Sequence, residues 1–244
     1  MTYFKLLKIE GKISLRALDG IIFGIIMPMG VLALINLVSG SQVVADGDYT
    51  FLQGSFASLV TVGICASAFM GIPLTVSDYR DKKILKHFFT TPVSPLKLLS
   101  VHVSIGAMTA ITSATGVTLL AVFVLGYRML GSWLLFIGAY FLVMFSMYSL
   151  GMMIASVCST VKQANLVCTL VYFPMLLLSG AVIPFELFPK GMQNIARFLP
   201  LSQGIQLLKA ISLNSNDFSN FSIIYLILLA LTGTIISLKL FRWE

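Results

Sequence analysis

The sequence predicts an all-α polytopic membrane protein with six transmembrane helices, and three observations predict it. Of 244 residues, 58% are hydrophobic and only 10% charged, with a mean hydropathy of +0.97, whereas soluble domains carry about 25% charge. Apolar runs occupy residues 20–38, 51–76, 100–126, 133–158, 164–183 and 221–240, each near the ~20 residues that cross a ~30 Å hydrocarbon layer. Cations gather at alternate ends of those runs. Helix follows because an open strand would leave backbone groups unpaired in lipid.

The leader comes first. Lys5, Lys8, Lys12 and Arg16 fall at helical spacing, with Leu6, Ile9 and Ile13 on an adjoining face. Residues 1–18 therefore read as an amphipathic helix on the membrane surface, with a solvated basic segment as the plainer alternative. A basic start, an apolar run and Val43-Val44-Ala45 also outline a secretory signal. The run, interrupted by Pro28, is longer than the usual 7 to 15 residues of such signals, so it reads as the first span.

Alternation of the spans divides the cations into two sets. Lys5, Lys8, Lys12, Arg16, Arg80, Lys82, Lys83, Lys86, Lys97, Lys162, Lys239 and Arg242 fall on one side, and only Arg128, Lys190, Arg197 and Lys209 on the other. The first side is the cytoplasm, with both termini on it. The loop at residues 39–50 carries Asp46 and Asp48 without a cation, as an outer loop would.

Between the second and third runs lies a charged island, residues 78–97, holding five of the sixteen Lys and Arg residues. Ile84, Leu85, Phe88 and Phe89 repeat at the helical interval while Arg80, Lys83 and His87 mark another face. A short amphipathic helix from Asp78 to Phe89 is expected, with Asp78 as its N-cap. Thr90-Thr91-Pro92 would stop it, and Ser94-Pro95 would cap the next span. The segment is either a stiff elbow projecting from the membrane or an interfacial loop whose lysines touch phosphates.

The fifth run is punctuated by Pro174, Gly180 and Pro184, so a broken span is expected. Pro189 and Pro200 bracket a helix-length piece, and Leu201 to Leu213 is apolar but too short to cross. Residues 184–213 thus read as outer helices that stay at the surface or dip back in, either a lid involving Pro184, Glu186 and Pro189 or ordinary interfacial helices. Gly63-x-x-x-Ser67-x-x-x-Gly71 and Gly151-x-x-x-Ala155-x-x-x-Ser159 are small-residue stripes read as internal helix packing rather than dimerisation.

Several chemistries find no support. Cys65, Cys158 and Cys168 lack Cys-x-x-Cys spacing, His87 and His102 stand apart, and residues 126–132 have the glycine spacing of a phosphate loop without its lysine. No catalytic, metal or cofactor site is expected on this chain. The spans lack interior carboxylates, Asp19 lying at an inner end, which disfavours an ion-coupled transporter. Basic residues flanking apolar spans disfavour nucleic acid as a partner and favour membrane lipid. Thr112, Met144, Phe145, Tyr148 and Gly180 are candidates for a forgiving apolar substrate path, with core or lipid-facing filler the plainer role.

The segment Lys83-Ile-Leu-Lys-His-Phe-Phe-Thr-Thr-Pro-Val-Ser-Pro95, together with Leu178-Ser-Gly-Ala-Val-Ile-Pro184 and Leu199-Pro200, resembles the ABC-2 type permeases of ATP-binding-cassette transporters. The likeness covers essentially the whole chain, multidrug and antibiotic exporters included. Where many members carry glutamates and Gly-Thr-Leu in the island, this sequence has Asp78, Asp81 and Lys83-Ile-Leu. The resemblance implies a single transmembrane domain over residues 1–244 that exports an amphipathic drug, antibiotic or lipid-like substrate from a bacterial cell. It implies a second permease half, identical or related, and separate cytoplasmic ATPase subunits that hold ATP and Mg. Residues 1–18 would be the connecting helix, and 78–97 the coupling segment, with Asp78, Arg80, Lys83, Leu85, Phe88 and Phe89 meeting the ATPase. A sensor or assembly factor that binds an ATPase without transporting, and a permease for lipid-linked glycans, are the competing expectations.

Overall fold

The structure is a computed structural model that describes residues 2–16, 21–39, 49–84, 95–180, 188–215 and 220–241. Its described residues are almost entirely helical: α1 (Thr2–Arg16), α2 (residues 22–39), α3 (Phe51–Asp81), α4 (residues 95–124), α5 (Trp133–Val157), α6 (Val161–Leu178), α7 (Lys190–Ala196), α8 (Pro200–Ser212) and α9 (Asn220–Leu240). Five of these, α3, α4, α5, α6 and α9, are long and apolar enough to cross a membrane. The apolar stretch of α2, Gly24–Val38, falls short of that length.

α3 is the centre of the bundle. Its apolar window is 72% buried, against 22% for α4 and 28% for both α6 and α9, so α4, α6 and α9 turn much of their apolar surface to the surroundings. Exposed side chains such as Leu170, Phe173, Leu228 and Leu231 suit a surface that faces lipid rather than water.

Glycine sets how closely the central helices approach. A Cβ at Gly151 of α5 would lie 2.1 Å from the Ala68 carbonyl oxygen of α3, and one at Gly63 would lie 2.6 Å from Ser113 of α4. Both stripes therefore pack inside the chain through Gly63 and Gly151, while Gly71 borders open space. α9 lies along α5, with Gly233 against Ser149.

Two prolines are admitted by one device. In α3 the Ile72 N–H reaches five residues back to the Ser67 carbonyl, just before Pro73; in α2 the Met27 N–H does the same to Ile22, just before Pro28. A proline ring clashes with the carbonyl four residues back, and a π turn widens the helix there. The fifth span departs from expectation, because α6 runs unbroken through Pro174 and stops at Ser179, followed by Gly180 at φ +85°. Glycine adopts that left-handed conformation without a Cβ penalty, so Gly180 and not Pro174 ends the helix.

α8 is not a surface helix. Leu201, Gln203, Ile205, Leu208 and Ile211 are buried against α3, α5 and α9, and Gln203 bridges the Arg197 carbonyl (2.5 Å) and the Ser222 hydroxyl (2.7 Å).

Candidate functional site

Contacts at the helix ends sort the molecule into two poles. At one, Gln53 donates to the Arg128 carbonyl at 3.3 Å, the Lys209 ammonium lies 5.0 Å from the Tyr49 ring centroid, and the N–H groups of Leu130 and Gly131 meet the Ser212 carbonyl. Phe56 stacks there between Tyr127 (4.3 Å) and Phe136 (5.6 Å). Arg128 and Lys209 are two of the four cations assigned to the outer side. At the opposite pole α1 lies on the start of α4, where Tyr3 Oη and Ser104 Oγ share a hydrogen bond of 2.7 Å, and the chain returns at Phe241, whose ring centroid is 5.3 Å from the Arg80 guanidinium.

This second pole is where the island leaves and rejoins the bundle. Asp78 was expected to cap a new helix, but it lies inside α3, which continues without interruption to Asp81. The π turn at Ser67–Gly71 already absorbs Pro73, so the helix runs on from the apolar span into its charged end with only the proline's donor missing. The second span thus ends as a rigid arm. Asp78 instead pairs with Lys82 at 2.8 Å on the surface, a contact of about 0.3–0.5 kcal/mol. The arm stops where Lys83 takes φ +57°, a conformation that costs a non-glycine residue roughly 1–2 kcal/mol.

Arg80 also departs from expectation, being buried rather than outward-facing. Its Nη1 donates to the Ala155 carbonyl at 3.0 Å and to the Cys158 carbonyl. These belong to the last turn and end of α5, where carbonyls lack intrahelical partners and a cation offsets the helix dipole. Burial pushes the Cys158 thiol up from its ordinary range, with the nearby Arg80 charge pulling the other way. Leu85, Phe88 and Phe89, together with the rest of the expected amphipathic helix, lie outside the described residues.

On the other face of the arm, Tyr79 Oη donates to Glu10 Oε2 at 2.7 Å. His102 of α4 packs its ring edge-on to Tyr79, 5.2 Å between centroids, with Nε2 4.0 Å from the same Glu10 oxygen. Glu10 and His102 side chains are only 11% and 10% exposed. Sequence reasoning did not single out this cluster. Its one available signal was Glu10, the sole acid among the leader's lysines and on the opposite helical face.

The candidate substrate-path residues scatter. Thr112 and Phe145 point out of the bundle, and Met144 packs partly buried on the core. Tyr148 is buried and shares a 2.8 Å hydrogen bond with Ser67, at a point where a Cβ on Gly106 would be 3.3 Å from its hydroxyl. Gly180 terminates α6. Pro189 precedes α7 as its N-cap, and Pro184 and Glu186 lie outside the described residues. Among the described residues no His, Cys, Asp and Glu side chains cluster to hold a metal.

Residues 4–213 match the family described as ABC-2 type transporter. The chain belongs to that family. It is 26% identical over 166 residues to the Inner membrane transport permease YhhJ of Escherichia coli (strain K12), covering 68% of this chain and 44% of that protein. It is 29% identical over 161 residues to Nodulation protein J of Rhizobium meliloti (strain 1021), covering 66% and 61%. A third relative, the "Probable multidrug ABC transporter permease YbhR" of Escherichia coli (strain K12), is 24% identical over 168 residues, covering 69% and 45%. The matched stretch of this ABC-2 chain thus spans less than two thirds of each of these relatives. The family match starts within α1 and ends just past α8, so most of α1, the arm and the buried α8 fall inside it.

Proposed function

We propose that this chain is the permease of an ATP-driven exporter in a bacterial inner membrane, moving an amphipathic drug, antibiotic or lipid-like molecule. ATP and Mg would be held by separate ATPase subunits, and a second permease half, the same chain or a related one, would complete the path. The observation that carries the reading is the unbroken α3, which joins the centre of the bundle to the root of the charged island. A force applied at Asp81, the end of the arm, would reach the buried Gly63 and Ser67 along one continuous helix. The names of the relatives YhhJ, a transport permease, and YbhR, a probable multidrug permease, support the transport and multidrug parts.

Six crossings fit this picture. α1 and Phe241 share one pole through the α1–α4 contact and Arg80, which favours an even number of crossings. The five long helices plus α2 supply six. The excess of Lys and Arg at that pole puts it, and both termini, in the cytoplasm.

The test is co-expression with an ATPase encoded beside this chain, reconstitution into vesicles, and measurement of ethidium accumulation on adding ATP. ATP-dependent accumulation is expected. A complex that hydrolyses ATP and moves neither ethidium nor fluorescent phospholipid would support a sensor or assembly factor instead.

A further inference from the structure

We infer that Glu10, Tyr79 and His102 form a proton-operated latch that fastens α1 to both roots of the island. Tyr79 sits three residues before the arm ends at Lys82, and His102 sits in the second turn after Lys97. One carboxylate on α1 therefore meets the chain where it leaves the bundle and where it returns. The inference rests on reading residues 78–97 as the coupling segment, and it names how that segment is regulated.

The geometry leaves one bond unmade. His102 Nε2 is buried without a hydrogen-bond partner and stands 4.0 Å from Glu10 Oε2. Burial works against a charge on this ring, and a proton there turns the contact with the facing carboxylate into a charge-assisted hydrogen bond that offsets the cost. Among the described side chains, no other charge competes for it. From α1 Glu10 faces the ring, while Lys5, Lys8 and Lys12 lie on the exposed side. From α3, Tyr79 touches it, Asp78 is paired with Lys82, Arg80 is turned to α5 and Asp81 is exposed. α2 contributes no Asp, Glu, Lys, Arg or His, and on α4 itself Lys97 is exposed. The Tyr79–Glu10 bond holds in either state. Proton loss from His102 frees the second root, so acid tightens the latch and alkali loosens it.

Electron-spin distance measurement tests this on the whole chain in lipid nanodiscs. Labels go on Lys5→Cys and Lys97→Cys, which report α1 against the second root and are both exposed, while the three native cysteines are buried. The distance distribution is expected to be at least twofold broader at pH 8.5 than at pH 5.5. His102→Gln and Glu10→Gln should each abolish that pH response, and His87→Gln should leave it intact. A width that ignores pH, or a response that survives His102→Gln, overturns the latch. In the reconstituted complex, ATP hydrolysed per ethidium moved should rise at least threefold from pH 5.5 to 8.5, and His102→Gln should flatten the rise. A rise that survives His102→Gln also overturns it. Absence of any transport would sink the exporter reading alone, because the distance measurement needs no ATPase.

Discussion

Arg80 Nη1 donates to the carbonyl oxygen of Ala155 at 3.0 Å, which ties the inner end of α3 to the last turn of α5. The sequence suggests an outward cation there, and the structure shows an inward staple that also reaches Cys158. Arg80→Ala should therefore destabilise the protein by about 3 kcal/mol, from two lost charge-assisted bonds to carbonyls that stay buried. Thermal unfolding in detergent checks this. A melting point equal to that of the parent would show that the staple is dispensable.

Gly151 predicts a steep steric response. Alanine there must displace the Ala68 carbonyl, since its Cβ would lie 2.1 Å away, and overpacking of this kind costs about 1–3 kcal/mol. Gly138 of the same helix borders open space, so Gly138→Ala should stabilise by about 0.5–1 kcal/mol, the gain in helix propensity alone. Unfolding the two variants side by side separates close packing from helix propensity.

Tyr148→Phe should be mild. The hydroxyl it removes is shared with Ser67, which keeps the carbonyls of Gly63 (2.9 Å) and Ile64 (3.0 Å) as acceptors. A loss of about 0.6 kcal/mol is expected, the typical worth of an interhelical hydrogen bond in a membrane protein. A loss several times larger would mean that the pair holds α3 and α5 in register.

Orientation can be read chemically. Arg128→Cys is expected to react with a membrane-impermeant maleimide in intact cells, and Lys82→Cys only after the membrane is opened. Both positions are exposed in the structure. The reverse pattern would invert the topology.

Phe88→Ala tests the island itself. If this side chain anchors the ATPase, truncation should weaken that association by about 2 kcal/mol, the scale of an aromatic anchor at an interface. Membrane insertion should be unaltered. Co-purification yield of the ATPase reports the first effect and membrane fractionation the second.

Much of this architecture was legible because lipid imposes a one-dimensional rule. Run length and charge placement were enough to find the long spans and to separate Arg128 and Lys209 from the lysines of the leader, and the prolines placed α7 between Pro189 and Pro200 and α8 after Pro200. The leader's helix was equally readable from the spacing of Lys5, Lys8 and Lys12. Family likeness came from contiguous motifs, which need no contacts to be recognised.

What the sequence by itself determined is therefore an apolar helical chain with a basic leader, a charged island and a defined polarity, since each is a property of residues near one another in the chain. Tertiary structure decided where the charges of that island point. Whether Arg80 faces an ATPase or the end of α5, and whether Glu10 meets Tyr79 and His102, depends on partners 69 to 92 residues apart in sequence, as 10, 79 and 102 are numbered. Helical periodicity assigns a residue to a face. Only packing, through the close approach at Gly63 and Gly151, decides what that face meets.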